Sequence, residues 1–397
     1  MNIPLITILI ILSLSYSSSV SEALNVVDFG AKAGGSRDST DAFLKTWNAA
    51  CASTQPTSIV VPGGEFLIGE ILFAGPCRNK NIQFQIEGSI VAPMDDSSFL
   101  NANAWITFES VDGLDINGGI INGRGNSIWA CKNANHNSNN CQQGPRNLLF
   151  FKGNNINIKG LTTIDSNQFH IVIDSCTNVN VAGVHVIAPE TSPNTDGIHV
   201  GKSTTVNITD CNIKTGDDCI SIGPGTSGLF VGNCNCGPGH GISIGSLGSG
   251  EDDEKNDVVE NIRVEGAVFT GTQNGVRIKT WGKPTTGNVN GVVFHHIIMQ
   301  DVENPIIIDQ EYCPAGNCNN QPSRIKIHDI TFSDIRGTSS SLIAINFVCS
   351  SSTPCQDIKL IDVKLNPGKD VNGQALQSSC KNAQGSTSGD VAPVSCF

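Results

Sequence analysis

Between Asp196 and Lys279 one short alternation of apolar and polar positions returns four times. The copies are Asp196-Gly197-Ile198-His199-Val200, Asp218-Cys219-Ile220-Ser221-Ile222, His240-Gly241-Ile242-Ser243-Ile244 and Asn274-Gly275-Val276-Arg277-Ile278-Lys279. Each sets a polar and a small residue before an apolar-x-apolar stretch, the period of two that marks a short strand with one buried face. The copies start 22, 22 and 34 residues apart, a spacing that suits a solenoid whose turns stack on one another. Equivalent residues then lie about 4.8 Å apart along the stack. Two aspartates, a histidine, an arginine and a lysine are thereby gathered on one outer face.

A second register of apolar-x-apolar triplets runs the length of the chain, at Leu114, Ile156, Val179, Val206, Leu229, Ile262, Val292, Ile325 and Ile358, with Gly, Asn and Asp turns between them. Although 397 residues would ordinarily suggest two domains, this continuity predicts an all-β, single-domain, right-handed parallel β-helix. A regular leucine framework is absent, and the 22-residue spacing is short for propeller blades. Ser39 to Ala49 opens with helix N-cap residues and carries Phe43, Leu44 and Trp47 at helical spacing, so a short N-terminal helix is expected to cap the first open coil. Beyond Leu365 the chain is Gly/Ser-rich and reads as an irregular tail pinned by Cys380 and Cys396.

Composition places this solenoid outside the cell. Leu5 to Leu14 is apolar, too short to span a bilayer but of signal-peptide length, and Ser21-Glu22-Ala23 offers a cleavage site after Ala23. Residues 1–23 are therefore expected as a signal peptide and 24–397 as the mature, exported, monomeric chain, although no Lys or Arg precedes the apolar run. Fifteen cysteines suit an oxidising compartment. Bridges are expected for Cys313 with Cys318, Cys349 with Cys355, Cys131 with Cys141 and Cys219 with Cys236, with at least one thiol left over. Zinc is not expected, since Cys234-Asn235-Cys236 lacks a matching second pair. Asn207-Ile208-Thr209 is a glycosylation sequon. A formal charge of −12, or −11 once the leader and its one carboxylate, Glu22, are removed, argues against nucleic acid as a partner.

Against that acidic background the cations Arg277 and Lys279 carry information. They share one face of a strand opposite Val276 and Ile278. Arg277 can grip a carboxylate with two hydrogen bonds while Lys279 adds a point charge, so a substrate bearing carboxylates is expected. Asp196 and Asp218 stack on neighbouring coils with Asp217 beside them. Like charges this close raise the pKa of at least one, which leaves one carboxyl able to donate a proton and another to activate water, as glycoside hydrolysis requires. A single aspartate would more often cap a turn; three beside His240, Arg277 and Lys279 favour catalysis. The glycine-rich Gly245 to Gly250 lacks a phosphate-binding Lys, Glu251 to Lys255 reads as a solvated loop in preference to a calcium site, and His295 and His296 point to opposite faces.

Asn194-Thr195-Asp196-Gly197, Gly216-Asp217-Asp218, Gly239-His240-Gly241 and Arg277-Ile278-Lys279, in this order, resemble the four motifs of the polygalacturonases, the pectin-cutting glycoside hydrolases of family 28. The resemblance covers nearly the whole mature chain and implies a metal-free, cofactor-free, inverting hydrolysis of α-1,4-galacturonosidic bonds. It implies Asp217 as general acid, Asp196 and Asp218 as the carboxylates that hold the attacking water, and His240 as support for the acid. Arg277, Lys279 and Asn194 are implied on the substrate, which is polygalacturonate of the plant cell wall. The stretches Pro238 to Gly248 and Arg277 to Trp281 resemble the plant, pollen-type branch and lean toward attack from a chain end. Endo attack, a lyase and a non-catalytic pectin-binding β-helix are the alternatives. Asn304-Pro305 stands where many fungal relatives carry a substrate-contacting Tyr, so one subsite is expected to lack an aromatic ring.

Overall fold

The computed structural model describes residues 22–94, 99, 102–134, 141–250, 257–314, 316, 318, 321–371 and 373–397. The expected leader, apart from Glu22 and Ala23, and the acidic run 251–255 lie outside these residues. A strand with one apolar face stays buried only if the next turn of chain lies beside it, and this requirement winds the chain into a right-handed parallel β-helix. Among the described residues one sheet holds eleven strands in chain order, from Ile71–Ala74 to Gln377–Lys381. The nine triplets of the second register all fall in strands, from Asp112–Asn117 to Cys355–Pro367.

The four motif copies enter the eleven-stranded sheet as Ile198–Gly201, Ile220–Ile222, Ile242–Leu247 and Asn274–Trp281. Their pairing puts Ile198, Ile220, Ile242 and Val276 in one inward column and His199, Ser221, Ser243 and Arg277 in the neighbouring outward one. Inside, identical residues stack: the rings of Phe73 and Phe108 are 4.9 Å apart and those of Phe108 and Phe150 5.3 Å. Outside, an amide ladder climbs the second register. Asn157 donates to Asp115 at 2.6 Å, Asn180 to Asn157 at 3.1 Å and the sequon residue Asn207 to Asn180 at 3.0 Å.

The capping helix spans Thr40–Ala52. Asp38, not Ser39, receives the Thr40 N–H at 2.8 Å, because the Ser39 hydroxyl is taken by the N–H of Lys32. Trp47 is fully buried over the first coil and its indole N–H reaches the carbonyl of Ala74 at 3.1 Å. The four local disulfides form as expected, as does Cys380–Cys396. A sixth bridge, Cys51–Cys77, ties the helix to the first coil. Cys176, Cys211 and Cys234 remain free and buried.

One expectation needs correction, and one helix was not foreseen. The segment beyond Leu365 is not an irregular tail: Gln377–Lys381 and Ala383–Ser388 add parallel strands to both sheets. The last strand is almost wholly exposed, so backbone pairing and the bridge to Cys396 hold it, and no apolar alternation announces it. Asn126–Ala134 is a second helix. It buries only Ile128 and Trp129, too few positions to show a helical period. The expected cleavage site falls inside the first strand, Glu22–Asn25, which pairs with Thr57–Val61.

Candidate active site

Asp196, Asp218 and His240 each stand two residues ahead of the first core residue of their strand, so the register of the sheet stacks them. Cys219–Cys236 spans the turn between the Asp218 and His240 coils. His240 is fixed from both sides: its N–H donates to the carbonyl of Asp217 at 2.7 Å and its own carbonyl accepts from the Asn274 amide at 3.1 Å. Gly241 makes this approach possible, since its φ is +86° and a Cβ there would sit 2.1 Å from the Asn274 oxygen.

Two hydrogen-bonded groups result. In the outer one, His240 Nδ1 lies 3.1 Å from Asp217 Oδ1, which also accepts the N–H of Asp218 at 2.8 Å. In the inner one, Asp218 is enclosed by cations. Arg277 Nη2 donates to Oδ1 and Lys279 Nζ to Oδ2, each at 2.7 Å, and Ser243 Oγ adds a bond at 2.9 Å while receiving Arg277 Nε at 2.9 Å. The side chain of Asp218 is 2 % exposed and that of Asp217 20 %. Asp217 is thus the carboxyl of this pair that faces the cleft. Asp217, Asp218 and His240 bring ligand atoms within 4.8 Å of one another, but seating an ion there would compete with both ion pairs of Asp218.

The carboxyls differ in their affinity for a proton. Burial, then the charges of Asp217 and Asp218, raises Asp196 well above the ordinary carboxylate range against the opposing pull of Lys279 and a Ser221 hydrogen bond. For Asp217 burial also acts upward, but the hydrogen bond and charge of His240, the charge of Lys279 and the Asp218 N–H together hold it below the usual value. The expectation that one of the clustered carboxyls is raised is met at Asp196. His199, whose Nδ1 lies 2.8 Å from Ser221 Oγ, is pushed down to about 4 by burial and by the charge of Arg146, so a neutral imidazole faces the cleft.

The structure brings Asp196, Asp217, Asp218, Lys279 and Asn194 to one cleft, with His240 and Arg277 bonded to its wall. Asn194 takes a left-handed turn, φ +59°, a conformation Asn tolerates. Four residues of the cleft escaped the sequence reading. His199 and Ser221, with Ser243 behind them, fill the outward column that ends at Arg277, so reading the x of each alternation would have found them. Tyr312 offered no such signal, because the pairing slips between Lys279 and Trp281. Its ring centre lies 5.2 Å from Lys279 Nζ and 6.0 Å from Arg277 Cζ. An aromatic ring therefore stands at the cation pair, at the opposite end of the strand Asn304–Tyr312 from Asn304-Pro305. Phe169, stacked 5.2 Å from His199, is the fourth.

Residues 51–396 match the profile of glycosyl hydrolases family 28. The chain belongs to that family. Among family 28 relatives it is 49 % identical to a polygalacturonase of Prunus persica, an alignment that covers 94 % of this chain and 93 % of the relative. An exopolygalacturonase of Platanus acerifolia is 42 % identical over 95 % of this chain and 98 % of its own. The solved polygalacturonase of Erwinia carotovora superposes with a TM-score of 0.70 at 25 % identity, covering 93 % of this chain and 99 % of the other. The stacked motifs thus lie within the matched residues, on the fold that family members share.

Proposed function

We propose that the protein is an exported polygalacturonase that hydrolyses α-1,4-galacturonosidic bonds of pectin with inversion. The observation that carries this reading is the pairing of one cleft-facing carboxyl, Asp217 on His240, with a second, proton-retaining carboxyl, Asp196, beside a cation pair suited to a uronate. Arg277 Nη1 and the remaining Lys279 protons are not used by Asp218 and can take a substrate carboxylate, with the Tyr312 ring over them.

An oxygen of Asp217 and one of Asp218 lie within 4.8 Å, closer than the roughly 6.5–9.5 Å needed to place a water between two carboxyls. Asp196 and Asp218 are assigned together to the attacking water, Asp218 from its cationic cage. Burial and the neighbouring carboxylates raise Asp196 above the ordinary carboxylate range. Hydrolysis calls for Asp217 in its protonated form, as the acid that gives its proton to the leaving oxygen, and for an ionised carboxylate that takes one from the attacking water.

Attack from a chain end is the favoured mode. Its support is the likeness to an exopolygalacturonase and the bridged helix Asn126–Ala134, whose Asn133 bonds the carbonyl of Thr191 beside the cleft. Export is supported by six disulfides among the described residues, and none of the described helices is long and apolar enough to cross a membrane. Product size followed with viscosity on unesterified polygalacturonate tests the reading. Monomer from the outset at constant viscosity is expected. An early fall in viscosity would replace exo by endo attack, an unsaturated ultraviolet-absorbing product would mean elimination, and no new reducing ends would leave only pectin binding.

A further inference from the structure

The outward column of the cleft sheet changes character at one point. From the C-terminal side Arg277, Ser243, Ser221 and His199 are polar, and the next two members, Val172 and Leu149, are apolar. Residues on the outward face of a strand are ordinarily the solvated ones. Val172 is nevertheless 3 % exposed and Leu149 8 %, and the rings of Phe169 and Phe151 pack against them. The polar floor of the cleft therefore stops at His199, and a packed apolar layer lies beyond it.

Phe169 and His199 stand at that boundary. Both line the cleft, with ring centres 5.2 Å apart, and both are fixed. On the far side of Phe169 the Arg146 Cζ lies 5.8 Å from the ring centre, and Arg146 Nη1 is itself tied to Asn103 Oδ1 at 2.6 Å. The Phe169 carbonyl accepts the Asn147 N–H at 3.0 Å and the Ser166 hydroxyl at 2.8 Å. His199 is anchored through Nδ1 to Ser221 Oγ at 2.8 Å, and its ring fills the space over Gly223, where a Cβ would meet Cε1 and Nε2 at 3.2 Å.

A polyuronate has no path over such a layer, because its carboxylates would lose water against apolar rings with nothing to pair them. The order of the coils then decides what is cut. Asp196 shares the coil of His199, Asp217 and Asp218 lie on the next, and Arg277 and Lys279 two coils further on. We infer that Phe169 and His199 are specificity-determining residues that close one end of the cleft. The terminal uronate of the chain stops against their rings, the next uronate is gripped by Arg277 and Lys279, and the bond between the two is the one presented to Asp217. This inference rests on the attack from a chain end proposed above and gives it a cause in two side chains.

The test compares the full chain with Phe169→Ala, His199→Ala and the double variant, each checked for folding by its melting transition. First products on unesterified polygalacturonate are sized while viscosity is followed. The unaltered chain should release monomer. Removing the rings opens a path past the wall, so the initial ratio of oligomer to monomer should rise at least about tenfold, the low end of what one pocket contact decides, with an early fall in viscosity. His199→Ala leaves Phe169 on its apolar layer, so it reports on the wall where Phe169→Ala fails to fold. Monomer as the sole product of every variant that folds overturns the wall and leaves attack from a chain end standing. A folded variant that releases nothing places its ring in the reaction itself and overturns the wall likewise. Oligomers from the unaltered chain overturn the wall together with end attack, and no new reducing ends from it overturn the hydrolysis.

Discussion

Asp218 and Arg277 are 59 residues apart in sequence and joined by a 2.7 Å ion pair whose side chains are 2 % and 9 % exposed. The carboxylate that this arginine holds is the protein's own. Breaking a buried pair on one side costs about 3–5 kcal/mol when the charge is left uncompensated, and the cost here is smaller because Lys279 still holds Asp218. Arg277→Ala should therefore lower the urea midpoint as well as activity, and Arg277→Lys should restore little of either, because it cannot bond Asp218 and Ser243 together. An unchanged midpoint in Arg277→Ala would show that Asp218 does not depend on it.

Asp217 carries the second prediction. Asp217→Asn removes the proton donor but keeps the shape, so turnover should fall on the order of 10²–10⁴-fold while the dissociation constant for an oligogalacturonide changes little. His240→Ala frees Asp217 from the bond that holds it low, so its activity should be smaller and the alkaline limb of its pH profile, where the acid loses its proton, displaced upward. Parallel pH profiles for the unaltered chain and His240→Ala would remove His240 from any control of the acid.

Asp196 yields a prediction of opposite sign for stability. Its proton affinity is raised on folding, so its contribution is fully present below the unfolded value of about 3.9 and is lost as pH rises through the folded value. Asp196→Asn should raise the melting temperature at pH 7, with the gain vanishing near pH 4, and should abolish turnover. A melting temperature lowered at pH 7 would contradict the assignment.

The bridge Cys219–Cys236 closes a loop with a sequence separation of 17, for which chain entropy gives about 3 kcal/mol. Replacing both cysteines by Ser should lower stability by that order. It should also reduce kcat more than KM, because the bridge joins the coils that carry Asp218 and His240. Equal losses in kcat for this pair and for a Cys51/Cys77 double variant, whose bridge ties the capping helix to the first coil, would argue against a positioning role.

Much of the site was legible because a β-helix turns sequence spacing into spatial stacking. Asp196, Asp218 and His240 occur at one phase of a repeated strand, and parallel pairing without slip keeps them in phase. Tyr312 sits beyond a slip and was therefore invisible. The helix Asn126–Ala134 and the strand Ala383–Ser388 were missed for a related reason: each is held more by its neighbours than by its own apolar pattern.

The sequence by itself determined the coil, the capping helix, the local disulfides and the stacking of the candidate site residues, since each follows from periodicity or short-range spacing. Only the tertiary structure decided how Asp196 and Asp217 differ in proton affinity and that Tyr312 stands over the cations. Asp196 and Asp217 differ in burial and hydrogen-bond partners, not in chemistry. Tyr312 reaches Lys279 past a slip in the pairing, which no spacing in the sequence announces.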